Sequence, residues 1–290
     1  MAVLKNHILV PIDFSEQSII ALEQSYNLAK LTMADITLIN VIESSHILPF
    51  LSKKEEDPSI EKKIIKELEK LALDITKRVG IRVSTLVVRG KVYEEIQKAA
   101  KKLKTSFIIM GTNGNTGIKK FIGSNALRVI RESPCPVITI KGKKHRPSCK
   151  NIVLPLDLSK ETKEKVNKSI EIAKLYGSTI HLVSVLTTDD EFIVNKLKRQ
   201  MHQVDEFIRE QIVPCVIEFI NNEDVGTSVI EYSKKIKADL IMIMTQQEMN
   251  WKDLMFISSS AQEVINLSDI PVLSIHPSIK KDTTISVFEY

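Results

Sequence analysis

The sequence predicts an α/β protein made of two doubly wound domains in tandem, and two observations carry that prediction. The first is an internal repeat. Ile8-Leu-Val-Pro-Ile-Asp13-Phe-Ser15 matches Ile152-Val-Leu-Pro-Leu-Asp157-Leu-Ser159 at a shift of 144 residues, and Leu38-Ile-Asn-Val41 matches Leu182-Val-Ser-Val185 at the same shift. The second is an alternation of periods. Short β-branched runs alternate with stretches whose apolar residues recur every three or four positions, the pattern of parallel strands joined by helices that cover both sheet faces.

Taken in order, the first half opens with a strand ending at Asp13, followed by a helix with Ile19, Leu22, Tyr26 and Ala29 on one face. A second strand ends at Val41. The long helix that follows carries Ile60, Ile64, Leu68, Leu71, Ile75 and Val79, which align with Ile193, Leu197, Met201, Val204, Ile208 and Ile212 at a shift of 133. Steps of three and four mark one buried helix face. A third strand runs to Arg89-Gly90, and Phe107-Ile-Ile-Met110 aligns with the 240–244 run. The last strands, Pro136-Val-Ile-Thr-Ile140 and Pro271-Val-Leu-Ser-Ile275, correspond as well. Each half therefore reads as five strands and four helices. The fall in shift from 144 to 133 places a longer polar loop in the first half, between Glu43 and Pro58. The expected domains are 1–144 and 149–279, joined through Gly142-Lys-Lys-His-Arg-Pro-Ser148 and followed by a polar tail, 280–290. The two proline-led last strands suit a sheet edge, and exposed edges invite association. They are expected to pair, making the chain an intramolecular pseudo-dimer, and homodimers remain open.

Composition narrows the function classes. With 27% charged and 5% aromatic residues, the net charge of +5 reads as solvated helix surface. A nucleic-acid platform would need clustered basic and aromatic residues, so no nucleic-acid partner is expected. No apolar run approaches the roughly 20 residues that span a bilayer, so no membrane partner is expected either. Cys135, Cys149 and Cys215 have unrelated spacings and read as free thiols. A cytoplasmic location is the expectation that follows. The six histidines are scattered without metal-ligand spacing, and no nucleophile-and-base arrangement is evident.

The chemistry concentrates in Phe107-Ile-Ile-Met-Gly-Thr-Asn-Gly-Asn-Thr-Gly-Ile-Lys-Lys-Phe-Ile-Gly-Ser-Asn125. A strand stops at Gly111, Gly114 and Gly117 lie in a polar loop, and Gly123-Ser124-Asn125 opens a helix. Glycines allow close backbone approach, and a helix N-terminus offers unpaired N–H groups to an anion. In doubly wound sheets the ligand crevice lies at the carboxyl ends of the strands, where Asp13, Val41 and Gly111 all fall. Two plainer readings stand beside this one. The glycines also suit βα turns, and Asp13 also suits a local helix cap. Lys119 and Lys120 read as phosphate neutralisers or as solvated loop residues, and His46 is a weaker candidate.

The Val-Pro-Ile-Asp-Phe-Ser opening, Asn-Val, Arg89-Gly90, Met-Gly-Thr-Asn-Gly, Gly-Ser-Asn and Pro-Cys-Pro-Val together resemble the universal stress protein family, over both halves. The resemblance implies Rossmann-like domains of the adenine nucleotide alpha hydrolase-like type. It also implies that an ATP-type adenine nucleotide, with or without Mg2+, binds one branch of the family. Carried over, the contact set is Pro11, Asp13, Ser15, Val41, Gly90, Met110, Gly111, Asn113, Gly114, Gly123, Ser124 and Asn125. In that set Asp13 would meet the nucleoside and the Val41 backbone the adenine edge. Gly111, Asn113 and Gly114 would wrap ribose and phosphates, which Gly123, Ser124 and Asn125 would hold. The family spacing is Gly-x2-Gly-x9-Gly-Ser/Thr, and Gly114 to Gly123 is one residue shorter.

The second half departs from the motif. Thr245 and Glu248 align with Gly111 and Gly114, and Ser258-Ser259 replaces the Gly-Ser pair, so this half is expected not to bind nucleotide. The functional expectation is a stress-response regulatory protein with one nucleotide site. A weak ATPase and a nucleotide-free dimerisation scaffold are the alternatives.

Overall fold

The computed structural model of the chain describes residues 6–43, 58–112, 122–157, 162–245 and 259–276. The first half contains β1 (His7–Pro11), α1 (Glu16–Thr32), β2 (Asp35–Glu43), α2 (Pro58–Val79), β3 (Val83–Gly90), α3 (Val92–Leu103), β4 (Phe107–Gly111), α4 (Ser124–Glu132) and β5 (Val137–Ile140). The second half repeats the order as β6 (Asn151–Pro155), α5 (Thr162–Tyr176), β7 (Thr179–Leu186), α6 (Glu191–Glu210), β8 (Cys215–Asn221), α7 (Val225–Lys235), β9 (Leu240–Met244), α8 (Ser259–Leu267) and β10 (Val272–Ile275).

The ten strands of the described residues join one sheet, in the order β3-β2-β1-β4-β5-β10-β9-β6-β7-β8. Neighbours within each half are parallel, and among the described residues the one antiparallel pair is the junction, where Thr139 faces Val272 and Ile138 faces Leu273. The expected pairing of the two last strands is therefore present, and it removes both apolar edges at once. The side chain of Thr139 adds a bond of 3.3 Å to the Val272 carbonyl. Alternate residues of each strand point to opposite faces, and both faces are buried. Ile8 and Val10 share one core layer with Ile152 and Leu154, while Leu9 and Val153 belong to the other. Each layer runs through both halves. Continuous apolar strands of this kind mark a parallel sheet covered on both sides.

The connecting segment is pinned to the body. Gln24 donates to the Arg146 carbonyl (3.0 Å) and accepts from its N–H (2.7 Å), and Arg146 reaches the Ala238 carbonyl of the second half at 2.7 Å.

The long-helix stripe holds at its centre and fails at its ends. Leu68, Ile75, Met201, Val204 and Ile208 are buried, but Ile60 is 56% exposed. Ile212 is 92% exposed and lies beyond α6 in the left-handed region, with φ 61°. The helix must stop there so that the chain can turn into β8. The first half makes the same turn with Gly80, φ 75°, for which that conformation carries no Cβ penalty.

Candidate functional site

The chain leaves β1 for β2 and β3, then returns to β1's other side to form β4, so the strand order reverses between β1 and β4. A cavity of about 580 Å³ opens there, at the carboxyl ends of β1, β2 and β4. It brings together Pro11, Asp13, Ser15, Val41, Met110, Gly111, Gly123, Ser124 and Asn125, which the sequence places on four separate stretches. Gly90 is not among its lining residues; it ends β3, paired in register with Glu43. Asn113, Gly114, Gly117, Lys119, Lys120 and His46 lie outside the described residues, as do Glu248, Ser258 and the tail.

The β1–α1 turn is fixed by its own side chains. Ser15 caps α1, its hydroxyl accepting from the Ser18 N–H at 3.3 Å. Asp13 Oδ1 accepts from the Ser15 N–H (3.0 Å) and hydroxyl (2.5 Å). Between them Phe14 adopts φ 61°, a left-handed conformation that a bulky residue holds only where its surroundings impose it. Both readings of Asp13 are thus visible: one oxygen organises the turn, and the exposed carboxylate still borders the cavity.

Asn40 ties the second wall to the first. Buried in β2, its amide donates to the Ile12 carbonyl at 2.7 Å. Ile12 N–H in turn donates to the Ile39 carbonyl at 2.8 Å. Backbone groups alternate sides along a strand, so Val41 presents its N–H and C=O on the β1 side as well. Register with β1 ends at Pro11 opposite Ile39, and these groups of Val41 face the crevice.

Three glycines do three jobs. A Cβ on Gly111 would stand 2.9 Å from the Gln17 backbone, so this glycine lets α1 approach β4. Gly90 has φ 151° and a Cβ there would meet Glu95 at 2.9 Å, so the fold accounts for it too. Gly123 is different. Its φ of −61° suits any residue, and the nearest atom to an added Cβ is the Thr112 carbonyl oxygen at an ordinary 3.5 Å. It precedes α4 as an N-cap without a side-chain bond. The first-turn N–H groups there have positive dipole character and no acidic side chain in that turn.

Several lining residues escaped sequence reasoning. Asn40, Glu43, Ser18 and Thr112 all border the cavity, and Glu43 accepts from the Asn125 amide at 3.2 Å. Asn40 had a legible signal, a lone amide inside an apolar strand. Ile39, Val92 and Ile96 had none, since they look like any core residue.

A second cavity of about 350 Å³ occupies the equivalent place in the second half, bounded by Pro155, Asp157, Val185, Met244 and Ser260. Register corrects one alignment here. Gly111 pairs with Ile140 and Met244 with Ile275. Thr112 N–H bonds the Ile140 carbonyl as Thr245 N–H bonds that of Ile275. Met244, not Thr245, therefore replaces Gly111; the repeat continues without a gap through β9, which a two-way reading of the apolar run could not decide.

Nucleophilic chemistry has no support in the thiols. All three cysteines are free and buried, and burial pushes Cys135 up to about 11 and Cys149 up to about 12. Among the described residues no cluster of His, Cys, Asp or Glu could hold a metal ion.

A parallel sheet in the order 3-2-1-4-5, with its crevice at the reversal point and a helix N-terminus on the rim, defines a Rossmann-like α/β domain, present here twice. The model of the universal stress protein family matches residues 5–141 and 148–276, and the chain belongs to that family, as a tandem member. It is 33% identical over 144 residues to universal stress protein MJ0531 of Methanocaldococcus jannaschii, covering 48% of this chain and 83% of that protein. Its fold is similar to that of a universal stress protein from Archaeoglobus fulgidus DSM 4304, with TM-score 0.74 and 21% identity, covering 94% of this chain and 99% of the other. A further family structure from Archaeoglobus fulgidus was solved in complex with dAMP; it is 20% identical, covers 43% of this chain and 97% of its own, and has TM-score 0.37.

Proposed function

We propose that the first half binds an adenine nucleotide of the ATP type and that the protein acts as a nucleotide-responsive regulator in stress physiology. The observation that carries this reading is Gly123. It is a glycine that the fold does not require, at an uncapped helix N-terminus that borders a cavity large enough for a nucleotide. Val41 supports it by offering one backbone donor and one acceptor, the complement of an adenine edge. In this reading Asp13 accepts from the ribose, and Ser124 adds a hydroxyl to the N–H groups around the phosphates. Gly114 and Asn113 complete the loop by family resemblance. Nothing in this set activates an attacking water, so binding without efficient turnover is the reading.

Calorimetry with ATP, ADP and AMP, with and without Mg2+, tests it. The expected stoichiometry is near one per chain, and the same samples assayed for released phosphate should show little hydrolysis. Two equal sites, or no binding at millimolar nucleotide, would overturn the proposal; the second result would favour a scaffold.

A further inference from the structure

The second-half cavity differs from the first in ways that build a different site. We infer that it binds a small aliphatic carboxylate, with Lys165 and Ser184 at the head group and a wall of aliphatic side chains around the tail.

The wall follows from chain length. Only residues 187–190 separate β7 from α6, whereas residues 44–57 separate β2 from α2. The short link brings the first turns of α6 across the crevice, and Ile193, Val194 and Leu197 line it. No described residue of α2 lines the first cavity. Leu186, Val225 and Met244 continue the apolar surface. A volume of about 350 Å³ falls at the small end of ligand pockets, about 300–1,000 Å³.

The polar lining comprises Asp157, which matches Asp13 of the first crevice, together with Lys165, Ser184, Thr187, Thr188 and Ser260. Ser184 is fully buried and its hydroxyl has no hydrogen-bond partner. Its counterpart Asn40 spends its amide on Ile12, a bond that Ser184 does not reproduce. An unpaired buried hydroxyl costs about 1–3 kcal/mol, and a ligand oxygen would satisfy it. Lys165 stands where the repeat has buried Ala21; it is 7% exposed and its ammonium donates to the Pro155 carbonyl at 2.6 Å. Lysine is seldom buried to this degree. Thr187 replaces Glu43, so relative to the first crevice this one gains a cation and loses a carboxylate. Added apolar wall, added positive charge and an orphaned hydroxyl are together complementary to an aliphatic acid.

The test uses the full chain, stripped of bound lipid, titrated with octanoate, octanol and ATP. Octanoate should bind once per chain, more tightly than octanol, and should not compete with ATP. Lys165→Met should weaken octanoate at least about tenfold, the scale of a hydrogen bond to a charged group, while leaving octanol unchanged. Ser184→Ala should weaken both. Ile193→Trp changes a half-open position at the rim and should block both ligands without disturbing the melting temperature. Gly123→Ser, in the other half, should leave octanoate binding intact, which separates this inference from the nucleotide reading. Absence of octanoate binding at millimolar concentration, equal affinity for octanol, or indifference to Lys165→Met in a folded variant would each overturn the inference.

Discussion

The two crevices sit in the same frame and match position for position over much of their walls, and the contrast at the remaining positions separates residues that hold the fold from candidates for meeting a ligand. Ile12 and Leu156 each donate to the second strand of their half at 2.8 Å, and Thr112 and Thr245 each donate to the last strand. Pro11 and Pro155, like Asp13 and Asp157, border their crevices at matched positions. These positions set where the strands end. At the differing positions Ser184 stands for Asn40, Thr187 for Glu43 and Met244 for Gly111, and Lys165 lines the second crevice where its counterpart Ala21 does not line the first. Loss of a motif in the second half is thus accompanied by new chemistry at the same place, with the scaffold kept intact.

What the halves share most directly is the junction, and breaking it should have the largest effect. Leu273 is fully buried in β10 opposite Ile138 of β5. Leu273→Ala should cost about 2–5 kcal/mol, the usual range for a large-to-small change in a core. Because each core layer runs through both halves, urea denaturation should still show one transition, shifted to lower urea. Two separated transitions would mean that the halves fold independently and that the common sheet contributes little.

The glycines sharpen the comparison at smaller cost. Gly111→Ala puts a Cβ 2.9 Å from the Gln17 backbone and should destabilise the protein by about 1–3 kcal/mol through overpacking. Gly123→Ser borrows the residue that the second half carries before α8. A serine N-cap should stabilise α4 by a few tenths of a kcal/mol, yet its side chain would occupy the phosphate approach. Nucleotide affinity should fall at least about tenfold, or 1.4 kcal/mol, with the melting temperature unchanged or raised. Unchanged affinity would show that the helix start does not touch the ligand.

Most of the architecture was legible because repeats and periodicity report burial directly. The pairing of Pro136–Ile140 with Pro271–Ile275 followed from their apolar, proline-led edges, and the crevice followed from strand ends expected at Asp13, Val41 and Gly111, of which only Gly111 ends its strand, β1 stopping at Pro11 and β2 running on to Glu43. The register of β9 was not legible, because a run of five apolar residues has no internal mark and only the ladder fixes Met244. The job of Gly111 was hidden as well: sequence shows a glycine but not the α1 backbone beside it. The local demand on Gly90 was hidden in the same way, in its positive φ and the neighbouring Glu95. Lys165 passed unnoticed because a lysine on a helix reads as solvated, and only the fold reveals it as buried.

The smallest effect expected concerns acid. His181 and His276 are both in the second half, and burial holds both below the ordinary histidine value of 6.5. His181 lies between Tyr232 Oη (3.3 Å) and Asn151 Oδ1 (3.1 Å), with the charge of Glu218 opposing the shift; His276 Nδ1 meets Thr245 Oγ1 at 2.6 Å. The first half has Thr37 and Lys141 at the corresponding positions. Below pH 6.5 the unfolded chain takes up protons that these folded imidazoles refuse, so unfolding gains free energy as pH falls. The stability they contribute is complete above about pH 6.5 and declines as pH approaches their lower folded values. The melting temperature should therefore fall between pH 7.5 and 5.5. His181→Thr, which installs the first half's residue, should reduce that fall while sparing stability at pH 7.5. An unchanged pH dependence in this variant would place the acid sensitivity elsewhere and remove titration from the list of differences between the halves.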